Sequence, residues 1–389
     1  MPHSSPVFAQ IMGRLDPTEF ARCVQQYPMK RSPRGLSAYD HFLALCFGQL
    51  TGRESLRDLI ACLNARVSRT YPLGFRTYLS RTNLAYANEH RDWRVFAAVA
   101  QVLMRRAQRL YAQAPADPEL PNLTYALDAS LIDLSLALFP WAYFQPTVGA
   151  IKLHLLLALK GNVPAWAAVT EANCPDQKSL DQLPLNPRAF YVMDRGYLDF
   201  PRLARLHQAE AYFVVRAKCH LRFRVLQSRG VDKSRGLRCD QTIRLTTVWS
   251  RRAFPHLLRR VRVRDEEQKR SLVLLTNNFQ LPAIRISELY RRRWQVELFF
   301  KWIKQHLRLR AFFGRSANAV RAQVWAAIAA YLLVAIAKQQ LHLPQTLHQI
   351  LQIISVSAFE QVPLPELFTD NHLENFQPND CKQLIFNAL

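Results

Sequence analysis

Acidic residues are scarce in this chain of 389: 29 Asp and Glu stand against 52 Lys and Arg, a formal charge of +23. Such an excess points to a polyanionic partner, nucleic acid first and an anionic membrane surface second. Long apolar runs are missing as well. The longest, Val324 to Ala337, has 14 residues, short of the roughly 20 that a membrane-spanning helix needs, so a buried core helix is expected there. The seven cysteines include no Cys-x-x-Cys pair, which argues for reduced thiols and against a structural zinc site. Cys219, His220 and Cys239 lack a fourth ligand at a usable spacing. The opening MPHSSPVFAQ has neither the basic region nor the apolar core of a secretory signal, so the expected location is the cytoplasm. What remains, 49% hydrophobic and 21% charged, is a globular composition of about two or three domains.

One stretch organises the rest. Ile286 to Arg310, ISELYRRRWQVELFFKWIKQHLRLR, has no Gly or Pro and is rich in Leu, Glu, Arg, Lys and Gln, so one long helix is expected. At about 100° per residue, Tyr290, Arg293, Glu297, Lys301 and Lys304 share a narrow stripe flanked by apolar residues on both sides. Two readings are open. In one, the stripe is a solvated face whose Arg293–Glu297 and Glu297–Lys301 pairs are i,i+4 salt bridges. In the other, a carboxylate faces a cleft among cations, which suits metal and phosphate chemistry. The spacing Tyr290-x2-Arg293-x3-Glu297-x6-Lys304 resembles the Tyr-Arg-Glu-Lys signature of DDE transposases of the insertion-sequence-four family. That resemblance implies that Glu297 is the third of three catalytic carboxylates.

From Met1 to about residue 115 the pattern is helical, with 16 basic against 7 acidic residues up to Gln113. SLRDLIACLNARV and SRTNLAYANEHRDW form two short helices around a Gly-containing connection, the layout of a helix-turn-helix. Ser80 is its N-cap, and Arg81, Asn83, Asn88 and Arg91 are candidates to reach DNA; the alternative is an ordinary bundle with a solvated basic face. The segment is similar to the amino-terminal domain attached to many members of the same family. A Pro-rich boundary, APADPELPN, follows. A short apolar strand then runs into Asp128, which puts a carboxylate at a sheet edge where metal ligands stand on α/β scaffolds. Asp133 is a rival for that role, and a capping Asp is the alternative for both. The resemblance favours Asp128.

GAIKLHLLLAL and VPAWAAVTE are expected strands, with Lys152 and His154 on one face of the first. They are either exposed strand positions or, by resemblance to a Lys-x-His of the family, contacts to the DNA backbone. DQKSLDQL is expected as a short helix, and AFYVM as an apolar strand leading into Asp194-Arg195-Gly196-Tyr197. That turn looks like the family's second catalytic motif, with Arg195 beside the DNA; an Asp satisfied by turn amides is the other reading. Residues 211 to 280 hold several short strands. From Val214 to Arg270, 17 Lys or Arg face 5 Asp or Glu, a net +12 that is over half the total. A solvated basic face and a grip on the DNA end are both open, with Arg259, Arg260, Arg262 and Arg264 as candidate contacts. The segment resembles the β-rich insertion of the family, which carries a base-stacking aromatic there. Trp249 is the candidate, Phe223 or Phe254 the substitutes, and packing against neighbouring strands the alternative.

Periodicity alone gives strands alternating with helices, a generic α/β pattern. The resemblance covers nearly the whole chain and implies more. It implies an all-α DNA-binding domain over 1–115, an RNase-H-like catalytic core over 120–213 and 281–340, a basic β insertion over 214–280 and a helical tail over 341–389. It implies two Mg²⁺ ions, replaceable by Mn²⁺, on Asp128, Asp194 and Glu297, with Tyr290, Arg293, Lys301 and Lys304 beside the DNA. The implied partner is double-stranded DNA, both terminal inverted repeats and target, bound by a dimer at the bacterial nucleoid with no membrane involved. Cleavage and strand transfer through a hairpin end are the expected activity. A non-catalytic or domesticated DNA-binding protein, and a metal-dependent nuclease without strand transfer, are the competing functions.

Overall fold

The computed structural model describes residues 5–29, 35–65, 70–113, 123–265, 270–306 and 311–368. The APADPELPN boundary, residues 307–310 of the expected long helix and the tail beyond 368 lie outside the described residues. The chain opens with helices α1 (Val7–Met12), α2 (Pro17–Gln26), α3 (Ala38–Leu50), α4 (Leu56–Asn64), α5 (Arg81–His90) and α6 (Arg94–Ala112). Asp16, Ser37, Ser55 and Ser80 accept first-turn backbone N–H groups at the starts of α2 to α5. Each such cap contributes about 1 kcal/mol.

Ten strands follow: β1 (Thr124–Leu134), β2 (Tyr143–Gln145), β3 (Val148–Ala158), β4 (Val163–Glu171), β5 (Phe190–Met193), β6 (Tyr212–Arg216), β7 (Phe223–Arg229), β8 (Leu237–Leu245), β9 (Leu258–Asp265) and β10 (Arg270–Thr276). They form one mixed sheet in the order β2-β3-β1-β5-β6-β10-β9-β8-β7, with β4 also paired to β3. The β1–β5 and β5–β6 pairs are parallel and the others antiparallel. Helices α7 (Phe200–Gln208), α8 (Val248–Ala253), α9 (Ala283–Arg292), α10 (Trp294–His306), α11 (Ala317–Gln340), α12 (Leu347–Ser357) and α13 (Leu364–Leu367) complete the described α-helices.

The sheet departs from the sequence reading in three places. First, β1 runs through Asp128 to Leu134, because beyond Leu127 it loses β5 but keeps β3 as a partner, Asp128 facing Leu155. Second, the basic strands expected as an insertion over 214–280 lie in the same sheet as the core strands. Leu275 of β10 pairs with Val215 of β6, so they continue the central sheet, and β6, which straddles the expected boundary at 214, belongs to the parallel core. Third, the expected single helix is broken between α9 and α10. Arg293 stands in the joint, its N–H bonded to the Tyr290 carbonyl and its carbonyl accepting from the Val296 N–H, the tighter i,i+3 pattern of a 3₁₀ turn.

The apolar run at 324–337 lies in α11, a 24-residue helix whose most apolar window is 94% buried. It packs against α3, α5, α6 and β4, and Trp325 stacks on Trp93 with ring centroids 6.5 Å apart. The helical region and the neighbouring strands therefore share one hydrophobic core. A second core lies where Phe190, Val192, Val214 and Leu274 meet Ile286, Leu289 and Tyr290 of α9.

Candidate active site

Parallel pairing puts Leu127, Met193 and Val215 in one register across β1, β5 and β6. One residue further along each strand come Asp128, Asp194 and Arg216. Adjacent strands lie about 4.8 Å apart and register partners point to the same face, so two carboxylates and a guanidinium form a row at the carboxyl edge of the sheet. Phe190, Val192 and Val214 of that face pack under α9, which carries the α9–α10 joint over the row. There Arg293 donates through Nη1 to Asp128 Oδ2 at 2.9 Å and through Nη2 to Glu297 Oε1 at 2.5 Å. Tyr290 is 8% exposed and packs with its ring 5.8 Å from the Arg293 guanidinium.

Burial and repulsion set the electrostatics. The Asp128 carboxyl is pushed up to about 6, first by burial and then by Asp194 and Glu297, against the pull of Arg293 and the Ala129 N–H. For Arg293, burial alone would lower the pKa, but Asp128, Tyr290 and Glu297 outweigh it and hold the guanidinium above its ordinary value. The Asp194 carboxylate accepts from the Gly196 N–H at 2.6 Å, so the turn-amide reading is realised for one of its oxygens. A Cβ on residue 196 would come within 2.9 Å of that oxygen, and glycine is what the tight turn accommodates. Tyr197 is fully buried beside the turn, its phenol raised by burial first and then by Asp128, Asp176 and Asp194.

Among the described residues no group of three or more His, Cys, Asp or Glu is closed into a metal-ligand cluster. Arg293 lies between two of the acids instead. All three acids offer the hard oxygen donors that a divalent cation takes, and the Asp194 and Glu297 charges add to the rise that burial mainly causes at Asp128.

Sequence reasoning missed two neighbours of these acids. Arg216 ends the apolar strand YFVVR as Asp194 follows FYVM, and that parallel was the available signal. Asp176 opens the 3₁₀ helix Asp176–Gln182 and lies 3.6 Å from where a Cβ on residue 196 would stand. It pairs with Lys152 at 2.9 Å, and Lys152 also donates to the Cys174 carbonyl.

Several expected DNA contacts are placed elsewhere. Lys152 and His154 pair with Leu131 and Ala129, on the face opposite Asp128. His154 is fully buried and bonded to Thr170 Oγ1 at 2.9 Å, and burial lowers its pKa to about 4; it offers DNA no surface. Asp133 also lies on the face away from Asp128, being five residues along the same strand. Asn88 bonds His41 and the Phe313 carbonyl, and Arg91 donates to the carbonyls of Leu36 and Ser37, so both hold the helical core together. Arg259 is buried in a bidentate pair with Asp240, both bonds 2.8 Å. Arg260 donates to Gln241 and lies over the Phe223 ring, while Arg262 and Arg264 are exposed. Phe254 is core. Trp249 is not on a strand but on α8, where Thr247 caps a short helix, and is 62% exposed. Arg81, Arg195 and Lys301 are exposed, and Asn83 and Lys304 are half-buried.

Residues 125–333 match the family model described as Transposase DDE domain, and residues 3–76 match a Domain of unknown function (DUF4372). The first match encloses all three acids. A Sinorhizobium fredii protein named as a transposase, y4zB, is 32% identical over 258 residues, 65% of this chain and 70% of that one. A Geobacillus stearothermophilus protein named as the transposase for insertion sequence element IS5377 is 30% identical over 216 residues, 55% of this chain and 56% of that one. A Synechocystis protein named as the transposase for element IS4SA is 24% identical over 256 residues, 64% of this chain and 69% of that one. A piggyBac transposase solved by cryo-EM as a synaptic complex with hairpin DNA aligns over 96% of this chain and 84% of its own, at 11% identity and a TM-score of 0.43, too low to bear on the fold.

Proposed function

The chain belongs to the transposase DDE-domain family, and from that premise we propose that Asp128, Asp194 and Glu297 are its catalytic acids, cutting and joining the ends of an insertion sequence. The observation that carries this reading is the side-by-side register of Asp128 and Asp194, with Arg293 tying Asp128 to Glu297 from a distant helix. The strand order β4-β3-β1-β5-β6, antiparallel and then parallel, agrees with an RNase-H-like core. The spacing of Tyr290, Arg293, Glu297 and Lys304 supports the insertion-sequence-four branch.

The three acids would hold Mg²⁺ or Mn²⁺ through hard oxygen donors. Such ions, when bound, supply activation of the attacking oxygen and neutralisation of the leaving one. The chain's own groups do the positioning. Arg216, Tyr290, Arg293 and Lys304 hold backbone phosphates beside the acids, with Arg195 and Lys301 at the rim. Gly196 keeps Asp194 in its turn. Exposed Trp249 is suited to stack on an unpaired base, which the proposed hairpin route requires. Inverted-repeat recognition by the basic helical region and a dimeric DNA complex belong to the same reading.

The test is metal-dependent cleavage of a duplex carrying the terminal sequences that flank the protein's own coding region. Asp128→Asn, Asp194→Asn and Glu297→Gln should each abolish cutting while DNA binding stays close to that of the wild type. Full cutting by Glu297→Gln would take α10 out of the active site, and cut ends that never appear in joined products would favour a nuclease.

A further inference from the structure

Among the described residues, Arg293 is the one cation seen to touch two of the three acids, and it does so from an unusual place. Its backbone forms the joint between α9 and α10, and its side chain reaches back 165 residues to Asp128 while meeting Glu297 one turn ahead. The guanidinium is not fully used there. Its Nε–H is buried without a hydrogen-bond partner, so two arms hold carboxylates and a third donor waits for an acceptor. Asp194 is left out of the arrangement and, among the described residues, takes the Gly196 N–H instead.

An exposed i,i+4 pair would have been content with Glu297 alone. The reach to Asp128 places a positive charge where like charges crowd, which is also where a divalent ion is wanted.

We propose that Arg293 is the site's own cation, a positioning residue that holds Asp128 and Glu297 together before metal arrives and leaves them when it does. The proposal rests on the reading of the three acids as the metal-holding set. Entry of an ion then requires breaking both Arg293 contacts, and the released fork, with all its N–H donors free, becomes available to a DNA phosphate. Metal loading and DNA engagement are coupled through one side chain, since a phosphate that captures Arg293 opens the acids to the ion. By reciprocity, the ion in turn tightens the phosphate contact.

The experiment measures Mn²⁺ binding to the full chain without DNA, by electron paramagnetic resonance, together with the melting temperature with and without Mn²⁺. Arg293→Gln should bind Mn²⁺ about tenfold more tightly than the wild type, equivalent to removing about 1.4 kcal/mol of competition. It should also show the larger metal-induced rise in melting temperature, because the variant begins with uncompensated acids. Arg293→Lys, which keeps the charge but not the two-armed fork, should fall between the two and carries the comparison should Arg293→Gln fold poorly. Affinity in both variants no higher than in the wild type, with Asp128→Asn still abolishing binding, overturns the role of Arg293. Binding that Asp128→Asn leaves unchanged in every background overturns instead the assignment of the acids as the metal set.

Discussion

Two buried imidazoles make the fold sensitive to acid. His41 bonds Asn88 in the helical core, with its pKa down to about 3 from burial and then from the Arg91 charge. His154, between β1 and β4, is down to about 4. In the unfolded chain both titrate near 6.5. A group whose folded pKa is depressed in this way binds its proton more readily when unfolded, so its contribution is fully present above pH 6.5 and is lost as pH falls through about 4 for His154 and about 3 for His41. At about 1.36 kcal/mol per unit, His154 accounts for roughly 3 kcal/mol and His41 for roughly 5. The melting temperature should therefore drop steeply between pH 6.5 and 4.5, and His154→Asn should flatten that drop relative to the wild type. An unchanged pH profile in the variant would mean that His154 is not held neutral. The sequence pattern placed His154 correctly on the polar-looking side of β3 beside Lys152. It could not disclose that His154 is fully buried there and bonded to Thr170 of β4, because burial of a strand face is decided by what packs on it, not by alternation.

At the scale of elements, some strand bounds were legible where an apolar run met turn residues, though β1 runs on past Asp128 and Trp249 lies on a helix. VPAWAAVTE coincides with β4, and the expected AFYVM contains β5, which starts one residue later and ends directly before Asp194. Ser80 is the N-cap that its position promised. Helix faces were less legible: α5 packs against both α4 and α11, so Asn88 and Arg91 turn inward, and the outer stripe is left to Arg81, Tyr86 and His90. The α9–α10 joint had no signal at all, since no Gly or Pro marks it. The break accompanies an ion pair to β1 that only the tertiary fold creates. The Asp194 turn is the element whose geometry is most tightly specified. Gly196→Ala places a methyl within 2.9 Å of the Asp194 carboxylate oxygen, so the carboxylate is expected to shift. Cleavage should fall by roughly tenfold or more, the effect of about 1.4 kcal/mol of transition-state stabilisation, with the circular dichroism spectrum unchanged. Wild-type cleavage in Gly196→Ala would show that the turn tolerates displacement.

For the whole molecule, the boundaries drawn from Pro-rich and basic segments mark where the chain changes character but not where packing stops. Helices α3 and α6 are buried against α11, which comes more than 200 residues later in the chain. The basic strands extend the same sheet that carries Asp128 and Asp194. Such joins depend on contacts distant in sequence, and no local pattern encodes them. Their consequence is mechanical continuity, since one sheet carries Asp128 and Asp194 as well as the exposed Arg262 and Arg264, and on the proposed reading DNA held on the basic strands would be held rigidly relative to the site. The most direct measurement of the central claim is anomalous diffraction from crystals of the protein soaked with Mn²⁺ in complex with its end DNA. The account predicts anomalous peaks within about 2.0–2.6 Å of carboxylate oxygens of Asp128, Asp194 and Glu297, with Arg293 withdrawn from Asp128 toward a phosphate. Peaks confined to other carboxylates, with the Arg293 bridge between Asp128 and Glu297 intact, would contradict it.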